Sequence, residues 1–131
     1  MSDFDGIFIL NSLYDPANLA ICFGFTCNPY STCSPTQLAA MTAYHWDLQT
    51  NITAGQFLYK SRDGYFLTSC FQHEESCRAR DWYNINIGGS TPNSTFYRWY
   101  TIGASVETAL IDAEWPADSS CAMQGVDHGA C

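Results

Sequence analysis

Gly6-Ile7-Phe8-Ile9-Leu10-Asn11-Ser12-Leu13-Tyr14-Asp15-Pro16 is the stretch on which the fold of this chain turns. The unbroken apolar run from Ile7 to Leu10 is rich in β-forming residues. A short run of this kind predicts a strand buried on both faces, as strands of parallel sheets are. Asp15-Pro16 closes it, because proline cannot donate to a strand ladder and turns the chain. Tyr65-Phe66-Leu67-Thr68-Ser69-Cys70 predicts a second buried strand that ends just before His73. Between the two lies the clearest helix start in the sequence. Ser34 is a good N-cap, Pro35 takes the first helical position, and Gln37 completes a capping box. Leu38, Met41, His45, Leu48 and Ile52 then recur at helical spacing, which predicts one apolar stripe to about residue 54. The order is strand, acid-bearing loop, helix, strand, histidine-bearing loop, an α/β pattern. In open α/β sheets functional groups sit beyond the carboxyl ends of strands, where Asp15 and His73 fall.

Outside this frame, residues 22–33 read as a cysteine-bearing loop and Lys60 to Gly64 as a polar turn. Trp82 to Ile87 alternates well enough for a short strand closed by Gly88-Gly89. Phe96, Trp99, Ile102, Val106 and Leu110 predict a helix from Ser94 to about Leu110, weakened by Gly103. The tail from 116 to 131 is loop-like and tied down by Cys121 or Cys131. The whole is read as a single, partial domain over residues 1–131.

Composition narrows the class. The chain is 47% apolar and carries 13 acidic against five basic residues, a net charge of −8. So acidic a chain does not release counterions from phosphates, which argues against nucleic acid. An acidic polysaccharide would meet general repulsion, and binding one needs a local exception. No apolar run approaches membrane-spanning length. Seven cysteines, and the sequons Asn51-Ile52-Thr53 and Asn93-Ser94-Thr95, fit an exported protein. Yet Met1 to Leu10 is acidic where an export signal is positive. The odd cysteine count agrees with the expectation that an upstream portion of the protein is missing.

Four motifs then carry a resemblance. Phe8-Ile9-Leu10-Asn11-Ser12-Leu13-Tyr14-Asp15 resembles the FILNxxYD segment of pectin acetylesterases, and Cys33-Ser34-Pro35-Thr36-Gln37-Leu38 resembles their CSPxQL. Cys70-Phe71-Gln72-His73-Glu74 is similar to their C-x-x-H segment, with Glu74 closer to the Notum branch. Asp81 to Ser90 and the Arg98-Trp99 pair continue the likeness, which covers roughly residues 7–100. The resemblance implies the C-terminal part of an extracellular α/β-hydrolase: a mostly parallel sheet, flanking helices and disulfide-bonded loops. It implies a serine carboxylesterase acting on acyl esters, acetyl groups of pectin or a related polysaccharide first, a protein-bound acyl chain second. Asp15 is then the triad acid and His73 the base, with no cofactor. The chain order acid before histidine is that of α/β-hydrolases.

The nucleophile is not recognisable. Gly88-Gly89-Ser90-Thr91-Pro92 and Gly103-Ala104-Ser105-Val106-Glu107 both lack the closing glycine of a G-x-S-x-G elbow. The expectation is therefore that the missing N-terminal half supplies the serine and that the 131 residues alone hydrolyse nothing. A third possibility is a non-catalytic extracellular binding module on the same scaffold.

Each singled-out residue also has a plainer role. Asp-Pro commonly starts a turn. His45, on the apolar stripe, reads as a core histidine. Cys121, His128 and Cys131 match no common zinc spacing, and disulfides account for those cysteines better. Glu74 and Glu75 are too close together for a paired-carboxylate site and read as solvent-facing. The aromatics at 96, 97, 99 and 100 read as core packing. Cys27 with Cys33, and Cys70 with Cys77, are candidate disulfides, though spacing alone does not fix pairing.

Overall fold

The computed structural model describes residues 6–27, 32–54, 62–73 and 79–115. Three parallel strands form one sheet in the order β1 (Phe8–Ser12), β2 (Gly64–Thr68), β3 (Ala109–Ile111). Phe8 is level with Gly64 and Ser12 with Thr68, while Tyr65 to Leu67 align with Ala109 to Ile111. Alternate residues of each strand point to opposite faces. Ile9, Tyr65, Leu67 and Ile111 enter one core with Leu13, Leu19, Met41 and Ile52. Phe8, Leu10, Phe66 and Leu110 enter another with Cys70, Ile85 and Ile87. The sheet is thus sandwiched, which is why its strands read as unbroken apolar runs.

The first core is closed by two helices. α1 (Pro16–Phe23) starts at Asp15 and ends at Gly24, whose φ of 68° is the left-handed conformation glycine tolerates. α2 (Pro35–Thr53) carries the predicted capping box: Ser34 Oγ accepts from Gln37 N–H, and Gln37 Oε1 accepts from Ser34 N–H. Met41, His45 and Ile52 of the predicted stripe are buried, and Leu38 and Leu48 pack against the core. Cys27 and Cys33 form a disulfide between α1 and α2.

The second face bears α3 (Ala79–Asn84) and α4 (Pro92–Ile102), followed by a 3-10 turn at Val106–Thr108. Two expectations are corrected here. Trp82 to Ile87 is not a strand: its first half belongs to α3, and Ile87 forms an isolated bridge with Ser90 across the Gly88-Gly89 turn. The alternation seen there buries Ile85 and Ile87 from a turn. The helix predicted to about Leu110 stops at Ile102, because Gly103 adopts φ 95° and caps Trp99 C=O. The chain then supplies β3, which the helical spacing of Val106 and Leu110 concealed. Residues 116–131, with Cys121, His128 and Cys131, lie outside the described residues, as do Glu74, Glu75 and Cys77. Cys70 is disulfide-bonded. Among the described residues no helix is long and apolar enough to cross a membrane.

Candidate active site

Parallel pairing brings the two loops of interest to one edge of the sheet. β1 and β2 are adjacent and point the same way, so the residues after Ser12 and after Thr68 emerge side by side. Leu13 N–H donates to Thr68 C=O at 2.8 Å, extending the ladder by one residue. Ser12 then ties the loops together. Its buried hydroxyl donates to Cys70 C=O and accepts from Tyr14 N–H at 3.0 Å.

This frame sets Asp15 against His73. The Asp15 Oδ2 to His73 Nδ1 distance is 2.8 Å, across 58 residues of sequence. The carboxylate accepts, so Nδ1 carries the proton and the tautomer leaves Nε2 as the basic nitrogen. The Asp15 side chain is 4% exposed and that of His73 48%. One partner is therefore fixed in the protein and the other faces outward.

The other oxygen of Asp15 has a separate task. Oδ1 accepts from Ala17 N–H at 2.8 Å and from Asn18 N–H at 3.3 Å, capping α1. Asp15-Pro16 is thus a helix start as well as a strand end, and helix capping and the contact to His73 share one side chain. The sequence showed the signal for α1: Asp at the cap, Pro at the first position, Gly after the end. Tyr44 of α2 lies near; burial raises its phenol pKa, a hydrogen bond from Asn18 opposes this, and the charge on Asp15 adds to the rise.

Two positioning residues carry no motif of their own. Ser12 links the loops as described. Asp112, just past β3, donates from its backbone to Leu67 C=O at 2.9 Å, and its Oδ2 accepts from Ser69 N–H at 3.4 Å. The strand missed in the sequence therefore braces the loop that leads to His73.

The remaining candidates separate. His45 is a core histidine, 1% exposed, with its ring 4.9 Å from that of Tyr14. Burial lowers its pKa, against the opposing pull of the Glu114 charge and of a hydrogen bond to Gln49. Of the aromatics read as core, Trp99 is buried and its Nε1–H donates to Arg62 C=O at 2.8 Å. Tyr97 and Tyr100 are 66% and 61% exposed, which corrects that expectation. Among the described residues no cluster of His, Cys, Asp or Glu has metal-binding geometry.

The α/β chain thus holds a carboxylate-oriented histidine beyond two parallel strands, where open α/β sheets place functional groups. Comparison with known proteins gives the class a family: the model of the family described as pectinacetylesterase matches residues 5–122. The chain belongs to the pectinacetylesterase family, and membership points to an esterase-type function. No curated protein and no solved structure was found to match it.

Proposed function

We propose that Asp15 and His73 are the acid and base of a secreted serine carboxylesterase that removes acetyl groups from pectin or a related polysaccharide. The observation that carries this reading is the 2.8 Å bond from His73 Nδ1 to buried Asp15, with the ring half exposed. His73 Nε2 takes the proton of a serine hydroxyl as that oxygen attacks the ester carbonyl. It returns the proton to the leaving sugar alcohol, and the same cycle run with water frees acetate. Asp15 holds the tautomer and stabilises the imidazolium. The serine comes from outside these 131 residues, since neither Ser90 nor Ser105 stands in a nucleophile elbow. Support for export comes from the Cys27–Cys33 pair and from disulfide-bonded Cys70, because such bonds persist in oxidising compartments.

A chromogenic acetyl ester assay tests the proposal. The 131-residue chain alone is expected to give no serine-dependent turnover. An enzyme completed with the G-x-S-x-G-bearing segment of a family member is expected to turn over and to lose activity in His73→Ala. Retained activity in that variant would refute the role of His73.

A further inference from the structure

Gln72, the residue before His73, is 3% exposed. Its Oε1 and Nε2 are both buried without a hydrogen-bond partner among the described residues. A buried donor or acceptor left unpaired weakens a fold, and folded proteins keep few of them. A carboxamide can leave up to four hydrogen bonds unmade. Packing by itself favours an apolar side chain of similar length at position 72, methionine for instance, which has no such groups to bury. The fold therefore gives no reason for an amide at this place. A ligand does, if it offers the amide its missing partners.

The backbone on either side of Gln72 is fixed. Cys70 C=O accepts from Ser12 Oγ and, at 2.9 Å, from Gln72 N–H. Cys70 is also disulfide-bonded, and the ring of His73 is held by Asp15. The side chain of Gln72 is not pinned in this way. No hydrogen bond holds its carboxamide inward, so turning about its side-chain bonds gives up no pairing. Consecutive Cα atoms lie about 3.8 Å apart across a trans peptide. The carboxamide is thus rooted beside the half-exposed ring whose Nε2 serves the reacting oxygen.

We propose that Gln72 is a specificity-determining residue that turns its carboxamide onto the alcohol half of the ester and binds a free hydroxyl on the carbon next to the esterified one. Oε1 accepts from that hydroxyl, and Nε2 donates to an oxygen of the same ring. An acceptor and a donor side by side match two neighbouring oxygens of a polyhydroxylated ring. The amide is neutral, so this contact escapes the repulsion that a net charge of −8 imposes on acidic ligands. An alcohol that lacks the neighbouring hydroxyl leaves the amide unpaired and is discriminated against. The proposal rests on the esterase reading, because it concerns the alcohol that departs from His73.

Two esters and one substitution test it. The esters are the monoacetate of a vicinal cyclohexanediol and cyclohexyl acetate, given to the enzyme completed with a nucleophile-bearing family segment. The parent is expected to prefer the diol ester by about tenfold or more in kcat/KM. In Gln72→Met that preference disappears, mainly through a higher KM for the diol ester. A merely structural amide would affect both esters alike and leave the preference standing, which overturns the proposal. Urea unfolding of the 131-residue chain is a second readout that needs no turnover. The midpoint of Gln72→Met is expected to rise, because an unpaired buried amide is removed. A lowered midpoint marks an amide that the fold requires and overturns the proposal. Hydrolysis of both esters by the parent at equal rates overturns the proposal and leaves the esterase reading intact. Hydrolysis of neither by the completed parent overturns the esterase reading, and the proposal with it.

Discussion

Asp15 divides one carboxylate between two duties, and substitutions separate them. Asparagine caps helices as well as aspartate does, so Asp15→Asn is expected to change stability by only a few tenths of a kcal/mol through the cap. It offers no full negative charge to His73 Nδ1, and kcat of the completed enzyme is expected to fall by about 10⁴-fold. Asp15→Ala loses the cap as well, at about 1 kcal/mol further in denaturant unfolding. Ser12→Ala removes the hydroxyl that joins Tyr14 N–H to Cys70 C=O, and about 1–3 kcal/mol of stability with it. His45 gives the molecule a pH dependence of its own. Its folded pKa lies below the usual 6.5, so the unfolded chain binds more protons between the two values. The stability contributed by the neutral ring is complete above about pH 6.5 and is lost as pH falls through the folded value. Thermal unfolding of His45→Phe is expected to be less sensitive to acidification over that window than that of the parent chain. Asp15 and His73 were legible in the sequence because each stands in a motif just past an apolar run. Ser12 was not: its importance lies in a bond to Cys70, distant in sequence.

At the level of elements, apolar runs and caps determine what forms, and tertiary packing determines where it stops. β1, β2 and α2 follow their local signals closely. Ser34→Ala is expected to destabilise α2 by about 1 kcal/mol, since Gln37 N–H loses its acceptor. α1 is hidden because Asp15-Pro16, its cap and first residue, also carries the signal that ends a strand, and the one signal masks the other. α3 and β3 were hidden for a different reason: six and three residues carry too little periodicity to outweigh a neighbouring pattern. Gly64 shows how tightly β2 meets the second helical layer. A Cβ there would lie 2.7 Å from Trp99 Cδ1 and 2.9 Å from Phe8 Cδ2. Gly64→Ala is therefore expected to cost about 1–3 kcal/mol by overpacking, visible as a lowered midpoint in urea.

On the scale of the whole molecule, the α/β class was legible from element order. Exposure was not, because helical spacing places Tyr97 and Tyr100 without saying whether a partner covers them. The three strands converge on one end of the sheet: β1 delivers Asp15, β2 delivers His73, and β3 delivers Asp112 to brace the histidine loop. On the proposed reading such a pair acts when a hydroxyl reaches His73 Nε2, and neither Ser90 nor Ser105 stands in a G-x-S-x-G elbow. The most direct measurement is acetyl ester hydrolysis by the 131-residue chain, alone and completed with a nucleophile-bearing family segment. No turnover alone, and turnover on completion that disappears in His73→Ala, is the predicted result. Serine-dependent turnover by the chain alone, or a completed enzyme indifferent to loss of His73, would contradict the account.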